Sequence, residues 1–251
     1  MLFAGCATLS PSVERIFGDE RQQILDALEK LSAVEVDCRD IETEATIAYR
    51  SLLKNGAVAG ILQAKAPSLL KFVGLNPFGQ PLVILVTDGQ TFQYVDVQQA
   101  KGYEGNITAK KFIEYAPKGF RPEFSYYWLV GRLEPEIKKN VDVYRDQENK
   151  GYWIEYCCGA DATINRVLID PDKEVLLRRL VQDNNEGIIM ELQYAAHMDN
   201  HCRFPEEIII KPLNGNGMLT VSLSDISSDY VLPVSDFEFE LPDGIERVQV
   251  K

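Results

Sequence analysis

The chain has 251 residues, 45% hydrophobic and 25% charged, with 26 lysines and arginines against 38 aspartates and glutamates and a formal net charge of −12. That length supports one large domain or two small ones, and a chain of this size buries about 70–75% of its unfolded surface, enough for a core without covalent staples. The acidic balance repels phosphate backbones and excludes nucleic acid as a partner. It also gains little from anionic head groups, so any membrane attachment must be apolar or covalent.

The first residues read Leu2-Phe3-Ala4-Gly5-Cys6, the small-residue pattern at which a lipoprotein signal is cut and its cysteine acylated. Only five residues precede Cys6, fewer than the basic region and roughly 7–15 apolar residues of a secretory signal. Either the signal is truncated or the match is accidental; acylation of Cys6 is the reading adopted. Residues 1–12 are then lipobox and tether, and residues 13–251 one domain. Ala7 and Thr8 follow Cys6 with no adjacent aspartate, the residue that marks inner-membrane retention in many bacteria, so the expected location is the periplasmic face of the outer membrane.

Residues 13–32 place Val13, Ile16, Ile24, Leu28 and Leu31 at helical spacing behind Ser12, a suitable N-cap. From Val34 the period drops to two, which predicts strands near 34–40, 43–53, 57–65, 69–75, 81–87 and 91–96, with turns at Asn55-Gly56, Asn76-Pro77 and Asp88-Gly89. The longest apolar run, 82–86, has strand length, far below the ~20 residues of a membrane-spanning helix. Helices are predicted over 108–116 and 122–133, the second starting on Pro122 and showing an apolar face of Phe124, Tyr127, Trp128, Val130 and Leu133. Strands resume near 141–147, 151–158, 163–169, 174–182, 187–196, 204–211, 217–223 and 236–240. Sequential short strands joined by tight turns argue for a curled antiparallel sheet, mainly β within an α+β class, forming an incomplete barrel covered by the helices. Such a lidded sheet encloses an apolar space that suits an acyl chain.

Three segments carry a family resemblance. The stretch 85–94, LVTDGQTFQY, resembles the strand–turn–strand of the LolA lipoprotein carriers. Leu75-Asn76-Pro77-Phe78-Gly79 resembles the protruding loop of the LolB receptors, and the tail FEFELPDGIE at 237–246 resembles the carriers' closing segment. Taken in order, the likeness covers roughly residues 30–251. It implies a half-barrel with a cavity for lipoprotein acyl chains, a membrane-contact loop at Leu75, Pro77 and Phe78, and an exchange partner among periplasmic carrier proteins. Lys65-Ala66-Pro67 stands where carriers have an arginine before the proline, and with the expected lipid anchor this points to the receptor-like side. The residues 135–165 are an addition relative to both.

The cavity-lining candidates are Phe72, Leu82, Ile84, Phe92, Tyr94, Phe124, Tyr127 and Trp128; from sequence they read equally as ordinary core. Of the five cysteines, Cys157 and Cys158 are adjacent and on a strand point to opposite faces, so they do not pair with each other. Pairing of one with Cys38 or Cys202 is open, and unpaired thiols are the reading adopted. The segment 197–202 brings His197, His201 and Cys202 close in sequence, and Cys157 or Cys158 would complete a zinc set; surface turn histidines are preferred, with no metal and no cofactor expected. No nucleophile elbow, phosphate-binding loop or dinucleotide fingerprint is present, so no catalytic residue is assigned and an enzyme is not expected. The sequence thus points to an outer-membrane-associated lipoprotein that binds acyl chains in lipoprotein or lipid localisation, or else to a structural envelope lipoprotein using the same fold as a scaffold.

Overall fold

Among the described residues, alternating apolar and polar side chains fold into one sheet of 15 strands. The computed structural model describes residues 12–33, 36–115, 118–135, 141–158, 163–183, 187–213 and 217–251. Residues 40–106 form a meander of β2 (Asp40–Arg50), β3 (Asn55–Lys65), β4 (Leu69–Leu75), β5 (Pro81–Thr87), β6 (Thr91–Asp96) and β7 (Lys101–Asn106). A second meander holds β8 (Asp142–Asp146), β9 (Tyr152–Cys158), β10 (Thr163–Asp170), β11 (Val175–Asp183), β12 (Gly187–His197), β13 (Pro205–Pro212) and β14 (Met218–Ser227). Antiparallel pairing of β14 with β2, for example Val221 opposite Ile47, joins the two. The edges are β1 (Ser12–Arg15), antiparallel to β8, and β15 (Glu246–Val250), parallel to β7. The sheet is curled and open rather than closed into a barrel.

The helical cover is thin: α1 (Gly18–Ser32), α2 (Lys110–Tyr115), and a 3₁₀ turn over Pro122–Phe124 running into α3 (Ser125–Leu129). Among the described residues no helix is long and apolar enough to cross a membrane. Apolar residues of α1 and α3, among them Ile24, Leu28, Leu31, Tyr126, Tyr127 and Trp128, form one core with Ile41, Leu62, Phe72, Ile154, Leu192 and Val221 of the sheet's inner face.

Several boundaries differ from the sequence reading. Ser12 does not cap a helix; it belongs to β1, and α1 starts only at Gly18, whose φ of 64° breaks any continuous right-handed run from residue 13. The strand expected at 34–40 is instead a 3₁₀ turn over Val36–Cys38 leading into β2. The strand expected at 236–240 is a 3₁₀ turn over Val234–Phe237 followed by a crossing segment. That segment lies against the outer face of β3–β7: Lys65 Nζ donates to Leu232 O (2.9 Å), Lys71 Nζ donates to Asp236 O (2.6 Å), and Leu241 covers Gly102.

At Gly60, where β3 pairs with β4, an added Cβ would sit 2.0 Å from the Val73 carbonyl oxygen. Only glycine fits there.

Candidate functional site

Side chains on a strand alternate between faces, so the paired registers sort the inner face into rows. On β2 the inner row is Ile41, Thr43, Ala45, Ile47 and Tyr49; Ile41, Thr43 and Ala45 are buried, Ile47 half-buried and Tyr49 exposed. On β3, Ala64 and Leu62 are buried and Val58 half-buried; on β14, Leu223 and Val221 are buried and Leu219 half-buried. Burial therefore falls off in one direction along neighbouring strands. The half near the β3–β4 turn is filled by α1 and α3. In the other half Ile47, Val58, Val83, Ile210 and Leu219 continue the inner face, half-buried and packed against that core.

That half ends in hairpin tips that place apolar side chains in solvent. Between β2 and β3 lie Leu52 and Leu53, 94% and 93% exposed. Their turn is closed by Ser51 N donating to Lys54 O (2.7 Å). Between β4 and β5 lies Phe78, 88% exposed. Here Asn76 Oδ1 accepts from the backbone N–H of Phe78 (2.9 Å) and of Gln80 (3.0 Å), and Gly79 takes φ 77°. Pro77 is exposed beside it and Leu75, the last residue of β4, is half-buried. Leu213, just past β13, is half exposed at the same end of the sheet. Leu52 and Leu53 were not singled out because the sequence reading carries the strand to residue 53 and puts the turn at Asn55-Gly56; the turn is instead Ser51–Lys54, and Asn55-Gly56 opens β3 opposite Arg50 and Tyr49.

The filled half of the inner face carries charge. Arg179, on the inner face of β11, is wholly buried. Its Nη1 donates to Glu134 Oε1 (2.5 Å) and to the Tyr156 hydroxyl (3.2 Å), and its guanidinium stacks 5.1 Å from the Trp128 ring. Trp128 Nε1 donates to the same carboxylate oxygen (2.5 Å) and the Tyr156 hydroxyl donates to the other (3.3 Å). Burial alone raises the Glu134 carboxyl, but the adjacent guanidinium and these donors outweigh it and hold the group below the ordinary carboxylate range. Tyr194, beside the pair, is pushed up to about 12 by burial.

The residues picked from sequence are distributed unevenly. Phe72, Tyr127 and Trp128 are buried in the filled half, with Phe124 half-buried against them. Phe92 lies on the inner face and stacks on Phe112 of α2 at 4.8 Å; Tyr94 is also on the inner face, 6.1 Å from Tyr103, and partly exposed. Leu82 and Ile84 point to the opposite face, because Val83 and Leu85 of the same strand pair with Gly74 and Phe72 on the inner one. Cys6 lies outside the described residues. A separate hollow of about 490 Å³ beside α1 is lined by Glu20, Lys30, Arg145, Tyr152 and Glu174 among others, a polar set away from the apolar candidates.

The cysteines depart from the thiol reading. Cys38 and Cys202 form a disulfide, while Cys157 is free and exposed. His197 Nε2 meets the Leu176 carbonyl oxygen (3.1 Å), and His201 instead lies beside Cys202.

No family model and no curated protein matches the sequence. Solved structures do. A LolA superfamily protein from Nitrosomonas europaea aligns at 10% identity and TM-score 0.56, over 86% of this chain and 97% of its own. A DUF1329 family protein from Desulfovibrio piger and an outer membrane lipoprotein-sorting protein domain from Vibrio parahaemolyticus each align at 11% identity and TM-score 0.60, over 85% of this chain and 95% of theirs. The chain has a LolA/LolB-like fold.

Proposed function

We propose that this chain is a cell-envelope protein that takes an acyl chain of a lipoprotein or lipid into the less buried half of its inner face and passes it to or from a bilayer across the hairpin rim. One observation carries the reading: among the described residues the inner face is only half-buried at Ile47, Val58, Val83, Ile210 and Leu219, in the half that runs out to the exposed Leu52, Leu53 and Phe78. An acyl chain of about fifteen methylenes brings roughly 12 kcal/mol of gross burial at ~0.8 kcal/mol per CH₂, so few polar contacts are needed to hold it. Release then requires an equally apolar destination, and a rim that dips into the membrane supplies one. Acylation at Cys6 would tether the protein to the periplasmic face of the outer membrane, with a periplasmic carrier protein as donor. Binding and release of this kind involve no covalent step, which agrees with assigning no catalytic residue.

A second reading is favoured by the filled half of the inner face, where the Arg179–Glu134 pair and Trp128 occupy the space a deep cavity would need. In that reading the chain is a non-transporting envelope scaffold. Native mass spectrometry of protein purified without detergent separates the two: copurified lipid supports the acyl-chain reading, and a lipid-free chain that takes up no added fatty acid supports the scaffold. For the rim, protein starting after Cys6 is expected to bind liposomes, and Phe78→Glu with Leu52→Glu to abolish that binding. Undiminished binding by the variant removes the rim from the proposal.

A further inference from the structure

The end of the sheet opposite the rim holds a cluster that the lipid reading does not use. Cys38 precedes β2 and Cys202 lies in the β12–β13 turn, and their disulfide is buried. His201 Nε2 lies 3.4 Å from Cys202 Sγ and 2.7 Å from Asp37 Oδ2. The Cys38, Cys202 and His201 donor atoms lie within 4.8 Å of one another. A disulfide alone needs no polar company, yet here one imidazole nitrogen faces both a sulfur and a carboxylate. We propose that Cys38, Cys202, His201 and Asp37 form a tetrahedral zinc site when the Cys38–Cys202 bond is reduced.

The donor set suits the metal: two thiolates, one imidazole and one carboxylate are all ordinary zinc ligands, and bonds of about 2.0–2.3 Å put neighbouring donors roughly 3.3–3.8 Å apart. Both cysteine backbones are fixed independently of the S–S bond. Buried Tyr126 donates its hydroxyl to Cys38 O (2.5 Å), and Arg132 Nη2 donates to Cys202 O (2.8 Å). Asn200 Oδ1 accepts from Arg203 N (2.8 Å) and closes the turn that presents His201. Reduction therefore leaves the two sulfurs near one another. His201 and Asp37, with side chains 54% and 62% exposed, provide the entry side.

The exchange balances with a dithiol as reductant. The dithiol gives up two electrons and two protons and closes to its own disulfide, and Cys38 and Cys202 become thiols. Zinc then displaces both thiol protons, together with any proton shared by His201 and Asp37. In the oxidised chain the sulfurs lack thiolate charge, so disulfide and zinc exclude each other.

The test uses the full chain with Cys6, Cys157 and Cys158 replaced by serine, reduced with a phosphine, freed of it under nitrogen and titrated with Co²⁺ and then Zn²⁺. One cobalt per chain is expected, with thiolate-to-cobalt charge transfer and tetrahedral ligand-field bands that zinc abolishes. The oxidised chain should give neither band. His201→Ala should weaken binding by at least about tenfold, since even loss of a supporting partner costs metal sites that much. An octahedral cobalt spectrum in the reduced chain, unchanged affinity in His201→Ala, or the same bands after Cys38→Ser with Cys202→Ser overturns the proposal. So does a reduced chain that neither keeps nor regains its far-ultraviolet circular dichroism with cobalt.

Discussion

Replacing Glu134 by glutamine asks how much a buried counter-charge matters in the core of this sheet. Glutamine keeps the shape and accepts from Trp128, but it removes the charge facing Arg179, which is wholly buried. The Glu134 carboxylate and the Tyr156 hydroxyl hold the guanidinium firmly in its charged form, so it cannot escape by losing a proton. Breaking one side of a buried pair costs roughly 3–5 kcal/mol, whereas replacing both sides by well-packed apolar groups is often neutral or better. Against a typical total of about 5–15 kcal/mol, Glu134→Gln is expected to lower the urea midpoint sharply at unchanged slope. Glu134→Leu combined with Arg179→Met should recover part of that loss, the remainder coming from the Trp128 Nε1–H and the Tyr156 hydroxyl left without their acceptor, at about 1–3 kcal/mol each. A loss below about 1 kcal/mol in the single variant, or a double variant as unstable as the single, refutes the reasoning.

Three further outcomes follow from the same structure. The Glu134 carboxyl sits below its unfolded value of about 4.3, so the unfolded chain binds more protons in acid; its contribution is present above that pH and lost as pH falls through the folded value. Thermal melts between neutral and acid pH should show this loss, and Glu134→Gln should flatten the acid limb. The Cys38–Cys202 disulfide closes a span of 164 residues, for which chain entropy gives about 5 kcal/mol as an upper figure; Cys202→Ser should cost roughly 2–5 kcal/mol in metal-free urea melts. Gly60→Ala forces a methyl against the Val73 carbonyl and should lower stability by more than about 2 kcal/mol, a loss that an unchanged melting temperature would contradict.

Much of the sheet was legible because its signals are local. The Asp88-Gly89 turn announces the β5–β6 hairpin, and Asp88 Oδ1 accepts from the backbone N–H of Gln90 (2.8 Å) and Thr91 (2.7 Å) there. Strand β7 was missed because KGYEGN has neither alternation nor β-branched residues; it is a strand because β6 and β15 pair with it on both sides. The tail FEFE alternates like a strand but lies across the outer face, while the less regular ERVQV supplies β15. Phe78 was readable from its Asn-Pro-Phe-Gly turn. Partners far apart in sequence were not: nothing near Glu134 announces Arg179, and nothing near Cys38 announces Cys202. The face assignment of Leu82 and Ile84 failed for a related reason, since an apolar run on all positions of β5 conceals which side faces the helices until register is known.

A closed barrel has its girth set by strand number and stagger, so it admits one size of guest. This sheet has two free margins, β1 and β15, that do not meet. Its mouth can therefore spread or tighten by bending between strands, with every ladder hydrogen bond kept. On the proposed reading, guests of different bulk, from a single fatty tail to a three-tailed lipoprotein terminus, would meet an opening whose width is governed by flexure.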